Sequence, residues 1–370
     1  MRMFPTVLVL LVFTGALYGT AGIAAHTGHP VSTPRQSLTT NHSGQGKDPV
    51  LIAAGDIADC RSKGDEATAQ LIRSMAGTIA TLGDNAYRGG SKREFASCYG
   101  PTWGAEKDRT RPAPGNHEYG TRGARGYFGY FGAAAGDPQA GYYSYDLGAW
   151  HIVVLNSNCD EVGGCQADSP QGRWLRADLA AHPTTCTLAY WHHPLFSSGQ
   201  EHGGDSAVRP FWVLLYEAGA DVVLSGHEHN YERFALQDSR GASNPQRGIR
   251  QFVVGTGGAG HYAFGTPQPT SEVRNADTYG VLKLTLRPQG YEWTFVPADA
   301  HFSARLNQPA HPPAFHPLDH RDWRAGDAQR FRVEADAKRH AVEHVNDVTG
   351  GQVVGIIASR SNDRAFPGGD

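Results

Sequence analysis

Asp56, Asp84, Asn116, His192, His227 and His229 each belong to a motif that ends a short extended run. Carboxylate, amide oxygen and imidazole in one set suit borderline or hard divalent and trivalent metals rather than soft ones. A carboxylate can bridge two ions, and two ions roughly 3.5–4 Å apart hold a hydroxide between them, an arrangement suited to phosphoryl transfer. Each residue alone has a plainer reading. Asp at a strand end commonly caps the next helix, Asn116 is a turn residue, and His193 beside His192 is a packing residue. Those readings do not easily cover six donors delivered to one edge of one sheet. His227 and His229 are two apart and would face opposite ways on a strand. Both reach one centre only if the chain turns sharply, which Gly226 permits.

The elements that must position these residues follow a repeating pattern. Val50-Leu51-Ile52-Ala53-Ala54 runs into Gly55-Asp56, and Thr78-Ile79-Ala80-Thr81-Leu82 into Gly83-Asp84-Asn85. Cys186 to Trp191 runs into His192-His193-Pro194, and Asp221 to Ser225 into Gly226-His227-Glu228-His229. Short apolar runs bounded by turn residues read as buried strands. Helical stretches lie between them: Glu66 to Met75, a segment opening at Asp168-Ser169-Pro170-Gln171 with Asp168 as cap, and Val208 to Ala218. Tyr142 to Leu155 and Val281 to Phe295, the latter turning at Pro288-Gln289-Gly290, read as antiparallel hairpins. The expected fold is α/β: two mixed β-sheets packed as a sandwich flanked by helices. In open α/β sheets ligands bind beyond the carboxyl ends of the strands, where these motifs fall.

Arg2, the apolar run Val7 to Leu17 and the small residues Gly22 to Ala25 have the layout of a secretory signal peptide over residues 1–25. The run is short for a membrane anchor, so a soluble exported protein, with no stable membrane insertion after cleavage, is expected. Residues 26–47 read as a flexible leader, 48–298 as the catalytic domain, and 299–370 as a tail of unknown role in which Arg330 to Glu343 could form a helix. In an oxidising compartment disulfides are expected: Cys159 with Cys165 around a Gly-rich loop, and Cys60 with Cys98, leaving Cys186 as a buried thiol. A formal net charge of -3 gives no bulk basic field for nucleic acid or an anionic membrane, so neither is expected as a partner.

Gly55-Asp56, Gly83-Asp84-Asn85-Ala86-Tyr87, Gly115-Asn116-His117-Glu118, His192-His193-Pro194 and Gly226-His227-Glu228-His229-Asn230-Tyr231-Glu232-Arg233 resemble the five motifs of the calcineurin-like metallophosphoesterases. Tyr87, three after Asp84, and the Asn-Tyr-Glu-Arg run point to the purple acid phosphatase branch, in a secreted bacterial-type form. The resemblance spans about residues 50 to 297, with all motifs in the family's order. It implies the α/β/β/α metallophosphoesterase fold and two metal ions. Asp84 would bridge them; Asp56, Tyr87 and His229 would complete one site, and Asn116, His192 and His227 the other. His117 and His202 would be catalytic, contacting the phosphate or the leaving group. For His117 the plainer reading is support of the Asn116 loop, and for His202 a solvated loop residue. Ala58 stands where the family often has Gly, and the following Asp59 reads as a helix cap or an outer carboxylate.

The resemblance further implies a phosphatase acting on small phosphorylated substrates by attack of a metal-bound hydroxide. Tyr87 as phenolate implies Fe(III) paired with a divalent Fe, Zn or Mn ion. A phosphodiesterase or nucleotidase on the same centre is the alternative, and a metal-binding protein without catalysis is a reading from another class. Gly255 to Gly260 reads as a tight turn near the site, because no helix clearly follows and no Lys-Ser/Thr closes it. Tyr127, Phe128, Tyr130 and Phe131 read as core or as a substrate wall. His301, His311, His316 and His320 read as solvated. Oligomeric state and physiological substrate are not written in these residues.

Overall fold

The computed structural model describes residues 47–183 and 186–298, together with the strand backbones 330–335, 339–345 and 353–358. The expected signal peptide, the expected leader apart from Lys47, and the four tail histidines lie outside the described residues. The first half of the fold comprises β1 (Val50–Ala54), α1 (Gly64–Ser74), β2 (Thr78–Leu82), α2 (Lys92–Glu94), β3 (Thr110–Ala113), α3 (Asn116–Tyr119) and α4 (Arg125–Phe131). A hairpin follows, β4 (Tyr143–Leu147) and β5 (Trp150–Val154), and then α5 (Pro170–Ala181), β6 (Cys186–Tyr190), α6 (Arg209–Ala218) and β7 (Val222–Ser225). The later strands are β8 (Tyr231–Phe234), β9 (Arg250–Val254), β10 (Ser271–Asn275), β11 (Gly280–Arg287), β12 (Gly290–Pro297), β13 (Arg330–Ala335), β14 (Arg339–Val345) and β15 (Val353–Ala358).

Two mixed sheets result. One has the order β13-β14-β15-β12-β11-β1-β2-β3, the other β10-β8-β9-β7-β6-β5-β4. β1, β2 and β3 are parallel, as are β5, β6, β7 and β9; antiparallel β11 borders the first set beside β1, and antiparallel β8 and β4 border the second on both sides. The hairpin β11–β12 closes with Arg287 opposite Gly290, so Pro288 and Gln289 form its turn. Every residue of β5, β6 and β7 is buried. Strands covered on both faces need apolar side chains at nearly every position.

Alternation divides those side chains between two cores. Ile152, Val154, Leu188, Tyr190, Leu224 and Val254 pack with Leu51, Leu82, Leu282 and Leu284 of the first sheet. Val153, Ala189, Trp191, Val223 and Val253 meet Leu175 of α5 and Phe211, Trp212 and Leu215 of α6. Ala69 and Ile72 of α1 join the core that holds the first sheet. The sandwich thus has helices outside both sheets, and the carboxyl ends of its two parallel sets deliver their loops to a common site.

Several local expectations are corrected. α5 is capped by Ser169, whose hydroxyl accepts from Gly172 N, and not by Asp168. Gln171 does not reach back to close a capping box; its amide holds both backbone groups of Asn156 instead. Where a helix is expected over Arg330 to Glu343, Arg330–Ala335 and Arg339–Val345 are paired antiparallel strands. Arg-Phe-Arg-Val-Glu-Ala alternates polar and apolar residues with period two, which suits a strand and denies a helix its apolar stripe. Asp59 does not cap α1, which starts after Lys63; its carboxylate accepts from Arg61 N and pairs with the Arg61 guanidinium.

Cys60–Cys98 and Cys159–Cys165 form disulfides, and Cys186 is a buried thiol whose Sγ lies 3.7 Å from Pro288 O. Among the described residues no helix is long and apolar enough to cross a membrane.

Candidate metal centre

Asp56 follows β1, Asp84 follows β2, Asn116 opens α3 after β3, His192 follows β6, and His227 and His229 follow β7. Asp56, Asp84 and His227 take left-handed backbone conformations, with φ of 59°, 49° and 71°. Non-glycine residues seldom adopt that region, and such strain concentrates at functional sites. The sharp turn of the Gly-His-Glu-His motif is therefore made by His227 itself, not by Gly226. Gly226 is needed for close approach: a Cβ there would lie 2.6 Å from Asp56 Oδ2. Gly115 plays the same part beside Asp84, where a Cβ would stand 2.1 Å from Oδ1.

Two donor groups form around Asp84. In the first, the Tyr87 hydroxyl lies 3.0 Å from Asp56 Oδ1, 3.0 Å from Asp84 Oδ2 and 3.1 Å from His229 Nε2. In the second, His192 Nε2 lies 3.0 Å from Asn116 Oδ1, 3.3 Å from Asp84 Oδ2 and 3.2 Å from His227 Nδ1. Oδ2 of Asp84 thus belongs to both. All seven sequence-predicted ligand residues converge here.

Outer contacts fix the rings. His192 Nδ1 donates to Leu82 O at 2.8 Å and His229 Nδ1 to Gly260 O at 2.6 Å. Anchoring Nδ1–H on a carbonyl turns Nε2 inward, as metal-ligating histidines do. Gly260 ends the Gly255–Gly260 segment, which is a turn packed on the Asp56 loop through Ala259 N to Asp56 O and Gly257 N to Gly55 O. Glu118 is buried and accepts from Asn85 N at 2.9 Å and Gly115 N at 2.7 Å, tying the Asp84 and Asn116 loops together. Burial, with the Asp84 charge adding to it, pushes the Glu118 carboxyl up to about 7.

The electrostatics of the cluster call for added positive charge. One hydroxyl proton of Tyr87 faces two carboxylates and an imidazole nitrogen. Burial, then Asp56 and Asp84, hold that phenol well above its usual range. Burial disfavours charge on His192, yet Asp84 overrides it and lifts the ring to about 9. Burial, with His192 and His193 nearby, holds His227 well below the usual imidazole value, so it stays in the neutral, ligating form. Hard oxygen donors mixed with inward-facing nitrogens, desolvated and short of positive charge, fit divalent or trivalent cations.

His117 donates from its backbone to Asp84 Oδ1 at 2.8 Å, its Nδ1 donates to Arg88 O at 2.6 Å, and its Nε2 lies 3.8 Å from Asp84 Oδ2. The His202 ring stacks on His227 with centroids 4.1 Å apart. The Glu228 carboxylate holds its loop through His202 N and Gly203 N, both at 2.6 Å. His193 packs beside the centre, with Nδ1 2.7 Å from Ser157 Oγ. Tyr127, Phe128 and Phe131 are core, packed with Phe95 and Tyr99. Sequence reading missed Tyr262, whose ring stacks on His229 at 3.9 Å and 13°; nothing in the surrounding residues marks it. It also gave Glu118 and Glu228 no role, although Gly-x-x-Glu at 115–118 is a capping-box spacing.

A helix-flanked double sheet that carries Asp, Tyr, Asn and His donors at its carboxyl edge is the architecture of a metallophosphoesterase. The family model for calcineurin-like phosphoesterases matches residues 38–231, and the chain belongs to that family. Purple acid phosphatase 22 of Arabidopsis thaliana is 39% identical over 98 residues, covering 25% of this chain and 22% of that protein. Purple acid phosphatase 18 of the same plant is 33% identical over 122 residues, covering 32% and 26%. The chain thus spans about a quarter of the length of these relatives. The structure of purple acid phosphatase PPD1 from yellow lupin seeds is 17% identical with a TM-score of 0.54, covering 69% of this chain and 52% of that one. It shares the fold.

Proposed function

We propose that this chain is a phosphatase that hydrolyses phosphate monoesters at a two-metal centre. The observation that carries the reading is Asp84 Oδ2, shared between the Tyr87 hydroxyl at 3.0 Å and His192 Nε2 at 3.3 Å. Asp56, Tyr87 and His229 would hold one cation with Asp84, and Asn116, His192 and His227 the other. When bound, such a pair supplies an activated water and neutralises the oxygens of the phosphoryl group. The protein's own part is to place the ester and manage a proton. The water oxygen bonds to phosphorus, the ester P–O bond breaks, and the departing alkoxide takes a proton. His117, with Nδ1 anchored on Arg88 O, and His202, stacked on His227, would be the groups that give it. Tyr262 covers His229 and keeps water from that flank.

Tyr87 as a phenolate ligand favours Fe(III) in the first position, with Fe, Zn or Mn in the second. Such a protein is coloured in the visible, and Tyr87→Phe bleaches it. Two disulfides in the folded domain support an exported protein, since reducing compartments keep thiols free. Cell fractionation that recovers the chain only in the cytosol would remove that part.

The function is tested with a chromogenic phosphate monoester and its diester analogue, each with added metals and with chelator. Monoester turnover abolished by chelation supports the proposal. Faster diester turnover reassigns the substrate class. No turnover of either by a folded, two-metal protein sinks the catalytic reading.

A further inference from the structure

A cavity of about 400 Å³ opens beside the centre, and Tyr87 is in its lining. That size suits a small-molecule fragment. Its walls come from the loop after β1, the loop after β2, and α2 with the segment that follows it. The Cys60–Cys98 disulfide ties the first wall to the last.

The charge on those walls is uneven. Arg61, Arg88 and Arg93 line the cavity with Asp59 and Glu94. Asp59 is committed to Arg61, through Oδ1 to Nε at 2.9 Å and Oδ2 to Nη2 at 2.5 Å. Glu94 is saturated by neutral donors: Arg88 N, Gly89 N, Ser91 N and the Ser91 hydroxyl. Among the described residues, the guanidinium groups of Arg88 and Arg93 have neither hydrogen bond nor ion pair. Both side chains are exposed. Two guanidinium groups that make no hydrogen bond or ion pair, with Arg88 acting on Asp59 only as a charge at longer range, present the planar, forked donors that phosphate oxygens match.

We propose that this cavity binds a second phosphate on the substrate, so that the protein prefers monoesters whose alcohol part is itself phosphorylated. The inference rests on the phosphoester reading above. Tyr87 is the shared wall: its hydroxyl belongs to the donor group around Asp84 and its side chain lines the cavity.

The test compares p-nitrophenyl phosphate, which has one phosphate, with a hexose bisphosphate, in the wild type and in Arg93→Gln and Ser97→Glu. Ser97 also lines the cavity, and a carboxylate there opposes a second phosphate. The expected result is a roughly tenfold loss of kcat/KM on the bisphosphate in each variant, mainly in KM, because one charge-assisted hydrogen bond is removed or opposed. Turnover of p-nitrophenyl phosphate should stay within about twofold, which also reports intact folding. Equal losses on both substrates, or no loss on the bisphosphate, overturn the proposal. Calorimetric binding separates it from the underlying reading. If the wild type hydrolyses nothing yet binds hexose bisphosphate more tightly than hexose monophosphate, and Arg93→Gln removes that difference, the cavity stands while the phosphatase reading falls. No binding preference overturns the cavity.

Discussion

Nε2 of His192 faces Nδ1 of His227 at 3.2 Å, with the Asn116 amide oxygen and Asp84 Oδ2 on the same side of the His192 ring. Two ring nitrogens and two oxygens directed at one another are stable only with positive charge between them. A proton on His192 supplies it in the metal-free protein, and a cation replaces that proton. Added Zn(II), Mn(II) or Fe(II) should therefore raise the melting temperature. A cation at a thousand times its dissociation constant adds about 4 kcal/mol. Asp84→Asn should remove most of that shift and lower the bound metal count. Equal metal content in wild type and Asp84→Asn would contradict the shared role of this carboxylate.

Glu118 tests whether the outer contacts matter as much as the ligands. Its carboxylate accepts from Gly115 N, Asn85 N and, at 3.3 Å, Ala86 N, so it fixes both the Asn116 and the Asp84 loops. Glu118→Gln keeps the shape but puts an NH2 against one of these amides. The expected loss is about 10–100-fold in metal affinity or activity, the usual cost of removing an outer partner. Titration of metal into the chelated variant measures it. An unchanged affinity would show that the loops hold their geometry without this group.

Asp65 provides a pH test away from the centre. It is buried in the first turn of α1, and burial, with Glu66 adding repulsion, raises its carboxyl from 3.8 to about 6 despite help from Thr102 and nearby amides. A raised acid binds its proton more tightly when folded. Its effect on stability is therefore neutral below the unfolded value and becomes a penalty as pH rises toward and through about 6. The upper bound at neutral pH is about 3 kcal/mol, and screening by nearby solvent brings it down to about 1–2 kcal/mol. Asp65→Asn should stabilise the protein at pH 7.5 by an amount of that order and have almost no effect near pH 4. Urea midpoints at both pH values decide it: the same difference at each would mean that charge on Asp65 is not the cause.

Much of this arrangement is legible in the sequence, because strand ends carry the donors. Buried parallel strands show as unbroken apolar runs, and the residue that breaks each run lands at the carboxyl edge. Asp56, Asp84, His192 and His227 are readable for that reason. What is not legible depends on contacts distant in sequence. Tyr262 reaches His229 because the turn after β9 packs against the Asp56 loop of the other sheet, and no local pattern records that. The left-handed φ of His227 is likewise invisible beside a glycine that looks better suited to it. Asp168 and Ser169 are both good caps, and Gln171 was claimed by Asn156, a competition that spacing alone cannot rank.

Gly226 joins these points in one substitution. Its own φ is not in the left-handed region, so alanine is not excluded by backbone conformation. The obstacle is proximity: the new methyl would sit 2.6 Å from Asp56 Oδ2 and 3.0 Å from Leu82 O. Leu82 O is backbone of a buried strand and cannot give way easily, whereas the Asp56 carboxylate can rotate. That rotation would break the 2.8 Å bond from His227 N to Asp56 Oδ2 and move Oδ1 from the Tyr87 hydroxyl. Gly226→Ala should therefore fold, with a stability cost of about 1–3 kcal/mol for the crowding, yet lose metal from the Asp56–Tyr87–His229 group first. If that group holds Fe(III), the visible colour disappears before the second metal is lost. A variant that melts like the wild type and keeps its full metal content would show that the approach of Gly226 to Asp56 does not constrain the centre.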